Sequence, residues 1–166
     1  MFQAGEYVIY GSNGVCRVNE ITFLNGMTGV DNRTQYYILS PVNSASSLIY
    51  SPVDNPRILM RRLISREEAE EILREVPSAE TLSYANPRQT EEHYKAILSS
   101  CDSHEWMRLI KTLIFTKRKR QKAGRRITSR DERYLAVLEE SLFSELAIAT
   151  GREKAEIKKQ FYDSVS

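Results

Sequence analysis

Between residues 6 and 60 the chain alternates apolar and polar positions at roughly two-residue spacing, in short runs separated by turn residues. The alternation predicts strands at 6–10 (EYVIY), 15–23 (VCRVNEITF), 36–39, 48–51 and 57–60. Gly11-Ser12-Asn13-Gly14, Asn25-Gly26 and Asp31-Asn32 supply residues that tolerate positive φ between them. Strands this short do best by curling into a closed antiparallel sheet, since closure leaves no unpaired edge. The expectation is a small N-terminal Tudor/SH3-like antiparallel β-barrel over residues 1–63.

From Ser65 the period lengthens to that of a helix. Ser65 with Glu68 three residues on forms a capping-box pattern, and Ala69, Ile72, Leu73 and Val76 then fall on one face. Pro77 stops this helix, because proline lacks an N–H and disfavours helical geometry before it. Residues 77–87 (PSAETLSYANP) read as a polar connector that permits relative motion. A second helix is expected at 88–99, with Tyr94, Ile97 and Leu98 apolar. Asp102 or Ser103 caps a third, whose Trp106, Leu109, Ile110, Leu113 and Ile114 recur as a core stripe. Gly124 suits a left-handed position past its end. Thr128 with Asp131, or Ser129 with Glu132, opens a long fourth helix with a buried row of Leu135, Leu138, Leu142 and Leu146. Thr150 with Glu153 opens a fifth, closed by Ile157, Phe161 and Val165. The fold class is therefore α+β: the barrel, then an all-α helical domain over 64–166, into which a first helix (65–76) and the connector (77–87) lead.

Charge changes this picture more than composition does. The totals, 24 Lys and Arg against 22 Asp and Glu with 41% hydrophobic residues, are ordinary for a folded protein. Their distribution is not: residues 1–76 hold 7 basic and 9 acidic side chains, and residues 77–166 hold 17 and 13. That asymmetry fits a protein-binding front and a nucleic-acid-binding back. The window 111–130 (KTLIFTKRKRQKAGRRITSR) contains nine Lys or Arg and no Asp or Glu. Without interleaved carboxylates such a block repels itself, and a chain keeps it when a polyanion rests against it. Helical phase puts Arg108, Lys111, Arg118, Lys119 and Lys122 opposite the core stripe, with Phe115 among them. Phe115 is expected to pack beneath the following helix rather than meet a base, and Trp106 to lie in the core.

Catalytic chemistry is hard to assemble from these residues. His93 and His104 stand apart without metal-ligand spacing, and no phosphate-binding or nucleophile-elbow glycine motif occurs. Glu67-Glu68, Glu70-Glu71 and Glu139-Glu140 fall at helix starts or on exposed faces. No enzyme activity, cofactor or metal is expected. Cys16 and Cys101 lack CxxC spacing and are expected as reduced thiols. With no basic-then-apolar leader and no apolar run of membrane length, neither a secretory signal nor a membrane span is expected, and the expected location is cytoplasmic.

The segment FQAGEYVIYGSNGVCRV, followed by YYILSPV and IYSPVDN, resembles the N-terminal module of bacterial CarD-type (CdnL-type) transcription regulators, also found in transcription-repair coupling factor. IKTL, KRKRQKAGRRITSRDERYL and ELAIATG resemble that family's C-terminal helical domain. The resemblance implies a Tudor-like domain docked on the β subunit of bacterial RNA polymerase. It also implies a helical domain that holds promoter DNA at the upstream edge of the transcription bubble and so stabilises the open complex. Carried onto this chain, polymerase contact falls on Ile49, Tyr50, Ser51 and Pro52, on a strand expected at the edge of the sheet. DNA contact falls on Lys117, Arg118, Lys119, Arg120, Lys122, Arg125, Arg126, Arg130 and Arg133. Such side chains meet mainly phosphates, so binding is nearly independent of base sequence.

The chain departs from the family at particular positions. Where family members often carry a Trp that wedges into the minor groove it has Thr90, which cannot unstack a base step. Glu91 and Glu92 follow where basic residues are common, and Tyr50 stands where some members carry Arg. The expected protein is a non-enzymatic regulator, acting as a monomer, that tethers to polymerase and grips the promoter backbone. From the residues alone the alternative is an RNA- or ribosome-associated binder, since a glycine-punctuated barrel and basic helices suit ribosomal RNA equally. A helical adaptor for an acidic protein is a third reading.

Overall fold

The alternating segment forms a five-stranded antiparallel sheet in a computed structural model that describes residues 1–165. Its strands are β1 (Tyr7–Tyr10), β2 (Val15–Phe23), β3 (Gln35–Pro41), β4 (Ile49–Pro52) and β5 (Met60–Arg62), in the spatial order β4-β3-β2-β1-β5. β2 is long enough to pair with both β1 and β3, and its register shifts between Val18 and Glu20, a bulge of the kind that bends a strand. One face of the sheet gathers Val8, Tyr10, Cys16, Val18, Tyr37 and Leu39 into a core, with Phe2, Ile21, Ile49, Val53 and Met60 packed against it.

Closure is the expectation this sheet does not meet. Among the described residues β4 pairs only with β3 and β5 only with β1, so the sheet is open and these two strands are its edges. The two edges are only four and three residues long, and short edges discourage promiscuous pairing. β5 also starts later than residue 57. The Asn55 side chain accepts from the Arg57 N–H at 3.0 Å, an Asx-type turn that holds these residues out of the ladder. Gly11 makes the bend after β1 with φ +49°, and a Cβ there would stand 2.7 Å from Cγ2 of Ile58.

The chain divides into two compact units, Met1–Leu63 and Ile64–Ser166. The second is built of α1 (Arg66–Glu75), α2 (Pro87–Ser100), α3 (Ser103–Lys122), α4 (Ser129–Thr150) and α5 (Lys154–Ser164). Local chemistry fixes most of the boundaries. The Ser65 hydroxyl accepts from Glu68 N at 3.1 Å, Asn86 from Arg88 N at 3.0 Å, Asp102 from His104 N at 3.0 Å, and Thr128 from Asp131 N at 3.2 Å. Pro87 occupies the first helical position of α2, where its missing N–H costs nothing. Thr150 does not open α5; it ends α4, bonding back to the Leu146 carbonyl at 2.7 Å, and Gly151 follows in the left-handed conformation at φ 70°. Glu153 stands before α5 without a side-chain cap.

The predicted stripes are the core. Trp106, Leu109, Ile110 and Leu113 of α3, Leu138, Leu142 and Leu146 of α4, and Ile157 and Phe161 of α5 have no solvent exposure. Each such side chain contributes roughly 1.5–3 kcal/mol by leaving water. The indole N–H of Trp106 donates to the Ile97 carbonyl at 3.0 Å, which is what lets a tryptophan be buried without penalty.

The connector after α1 is tied to α3 by hydrogen bonds. Lys111, expected on an exposed basic face, is buried, and its ammonium donates to the carbonyls of Pro77 at 3.1 Å and Ala79 at 2.6 Å. Arg108 Nε donates to the Glu80 carbonyl at 3.3 Å, and Leu82 N to Thr112 Oγ1 at 2.9 Å. A polar stretch that leaves its carbonyls unpaired needs donors, and the back of α3 supplies them. Two consequences are measurable by denaturant unfolding. Lys111→Met should lower stability by roughly 1.5–3 kcal/mol, the worth of hydrogen bonds to a charged group. Gly11→Ala should cost about 1–2 kcal/mol through its left-handed backbone alone; a loss within error for either variant would contradict these contacts.

Candidate nucleic-acid interface

Division by unit corrects the charge asymmetry. The N-terminal unit carries Arg17, Arg33, Arg57, Arg61 and Arg62 against Glu6, Glu20, Asp31 and Asp54, so it is nearly neutral rather than acidic. The acidic side chains Glu67, Glu68, Glu70, Glu71 and Glu75 lie on or at the ends of α1 and belong to the helical unit. The polarity lies within that unit, between an acidic α1 and a basic end of α3.

The basic block is not uniform. Lys111 is spent on the connector. Arg118 donates to the carbonyls of Val165 and, at 3.0 Å, Tyr162, satisfying groups at the end of α5. Arg120 Nε donates to the Arg126 carbonyl at 2.7 Å and holds the turn after α3. Gly124 makes that turn at φ +74°, and Arg125 N returns to the Arg120 carbonyl at 2.8 Å. Arg130 lies 3.2 Å from Asp131 and stacks over the Tyr94 ring at 5.4 Å. Arg133 lies 3.3 Å from Glu91 and over Tyr134 at 5.4 Å.

Lys117, Lys119, Lys122, Arg125 and Arg126 are left, and among the described residues the charged end of none of them has a carboxylate or hydrogen-bond partner. Lys117 is half-buried, the other four exposed. The nearby carboxylates are already committed. Burial pushes the Tyr94 phenol well above its ordinary pKa, and the charge of Asp131 and a hydrogen bond to it push the same way, so Tyr94 stays protonated beside that carboxylate. Tyr162 is raised first by burial and then by its hydrogen bond to Glu139, which also sits 3.5 Å from Lys158. Glu140 pairs with Lys154.

Beside these cations runs an open groove of about 520 Å³, with Phe115, Lys119 and Arg120 of α3 on one wall, Thr81 and Ser83 of the connector on the other, and Arg125 at its end. Phe115 does not pack beneath the next helix: its exposure is 47%, because α4 and α5 cover the opposite stripe. Thr90, by contrast, is buried, and its hydroxyl is bonded to the Asn86 carbonyl at 2.8 Å. Sequence reasoning placed Phe115 in the right helical phase but had no signal for the connector wall, since the carbonyls that bind Lys111 belong to no motif.

The other candidate residues sit on the open edge. Along β4 the side chains alternate: Ile49 is half-buried against the core, Tyr50 is 42% exposed, and Ser51 is buried, with its hydroxyl 3.4 Å from Asn55 Nδ2. What β4 offers a partner is its backbone edge, the Tyr50 ring and part of Pro52, rather than the Ser51 hydroxyl. The two histidines are held within the helical unit, His93 by the Tyr84 hydroxyl at 2.6 Å and His104 between Glu75 at 3.2 Å and Glu68 at 3.4 Å. Among the described residues no helix is long and apolar enough to cross a membrane.

Comparison with known proteins bears on the N-terminal unit. No curated protein matches the chain. Residues 2–64 match the family model of the CarD-like/TRCF RID domain, a protein-interaction domain without catalytic chemistry, and the helical unit lies beyond the match. Residues 2–64, the sheet with the open β4 edge, are thus a CarD-like module of the kind shared with transcription-repair coupling factor.

Proposed function

We propose that the protein regulates transcription by docking its N-terminal module on the β subunit of RNA polymerase while the helical unit holds the phosphate backbone of promoter DNA, stabilising the open complex. The observation that carries the DNA half is the set of cations at the end of α3 and in the turn after it, Lys117, Lys119, Lys122, Arg125 and Arg126, whose charged ends are left without partners among the described residues. Neighbouring carboxylates neutralise Arg130 and Arg133 and leave these alone. Backbone contact by such groups depends on charge density, not on base identity.

For the polymerase half, β4 supports addition of a strand from the partner, with main-chain bonds to its free edge and the Tyr50 ring beside them. Two weak contacts made together raise the local concentration of the basic helices at the promoter, so neither needs to be tight alone. This reading replaces an acidic front by a nearly neutral one whose affinity rests on edge geometry.

The deciding experiment separates the two contacts. Arg125→Glu with Arg126→Glu should weaken binding to duplex DNA at least tenfold and flatten the dependence of log K on log salt by about 2, one unit per lost phosphate contact. The same variant should retain the polymerase β subunit in a pull-down, whereas Tyr50→Ala should lose β subunit and keep DNA affinity. Unchanged DNA affinity and salt slope in the double variant would refute the assignment of the basic block. Capture of ribosomal particles in place of polymerase would favour the RNA-binding alternative.

A further inference from the structure

The phosphate reading leaves one side chain unexplained. Among the described residues Phe115 is the exposed aromatic ring of the helical unit; Trp106, Tyr94, Tyr134, Phe143 and Phe161 are buried, and Tyr84 and Tyr162 are half-buried. An exposed phenylalanine loses the hydration advantage that buries its relatives, and here it lines a groove instead of standing on an open surface. No Asp or Glu lines that groove, while Lys119, Arg120 and Arg125 do. Lys119 and Lys122 lie one and two turns beyond Phe115 on the same face of α3, about 6 Å and about 10 Å along its axis. These distances correspond to roughly two and three steps of a stacked strand at 3.4 Å each.

We propose that this groove takes a single-stranded nucleic acid, with one unpaired base stacked on the Phe115 ring and the flanking phosphates on Lys119, Lys122 and Arg125. The inference rests on the phosphate-contact reading and adds to it a preference for unpaired strand. Charge decides the occupant: the cations around the ring suit a polyanion that also carries flat apolar faces, and a nucleic-acid strand has both. A duplex offers its phosphates but keeps its bases stacked inside, so it could use the cations and not the ring. The connector wall gives the site its depth, and that wall is set in place by the Lys111, Arg108 and Thr112 bonds.

The test compares two labelled strands of equal length and charge, an oligothymidylate and an abasic deoxyribose-phosphate chain, bound to the full chain and followed by fluorescence anisotropy. The wild-type protein should prefer the thymine strand by roughly five- to a hundredfold, the worth of one stacked base. Phe115→Ala should lower the thymine strand to the abasic level with no change in salt slope, and Phe115→Tyr should keep the preference. Lys119→Ala should weaken both strands alike. Because Phe115 is exposed, thermal melts should show each variant folded as the wild type. Equal binding of the two strands by the wild type, or a preference that survives in Phe115→Ala, overturns the base-stacking inference and leaves phosphate contact standing. Failure to bind either strand while duplex DNA of the same length still binds overturns the single-strand inference alone, and failure to bind all three overturns both.

Discussion

The buried ammonium of Lys111 is the contact on which the candidate interface of the helical unit depends. A lysine inside a protein is costly unless its donors are met, and here two carbonyls just past the end of α1 meet them. Those carbonyls lie where a helix terminus concentrates partial negative charge, which favours a cation. The effect is to fasten residues 77–83 against the back of α3. Without that strap the face bearing Phe115 and Lys119 would be an open helix surface; with it the face has a second wall.

The same economy governs the rest of the positive charge. Several cations of the block are used for structure: Arg118 on the end of α5, Arg120 on the turn, Arg130 on Asp131, Arg133 on Glu91. The remainder cluster around Gly124, where the chain turns between two long helices and no acidic side chain occurs between Lys111 and Arg130. The nearly neutral sheet unit contributes geometry instead, in the form of a four-residue edge strand. In the proposed function one unit would rely on shape and hydrogen bonding and the other on field strength.

Much of this was legible in the residues. Period gave α3 and α4 with their stripes, because Trp106 to Ile114 and Leu135 to Leu146 repeat cleanly, and capping side chains at Ser65, Asp102 and Thr128 marked where helices begin. The sheet was readable as strands but not as an open sheet with two short edges, the last of them shortened by an Asx turn at Asn55. Thr150 misled because a threonine bonding back within its own helix looks, in sequence, like one that caps the next. For the candidate interface, the block of cations was evident while its division was not: which arginines are neutralised depends on Glu91 and Asp131, brought close only by packing. Lys111 shows the limit most clearly, a charged residue in a charged run that turns out to be interior.

The uncompensated cluster around Gly124 sets the protein's response to dissolved ions in two opposing ways. Five like charges held near one turn repel each other, so screening them relieves a strain on the folded state. The same screening would remove the attraction through which the proposed polyanion reaches the turn. On the proposed reading, rising ionic strength would make the unit sturdier as it made it less adhesive, and a bound polyanion would do both jobs at once by supplying its own countercharge.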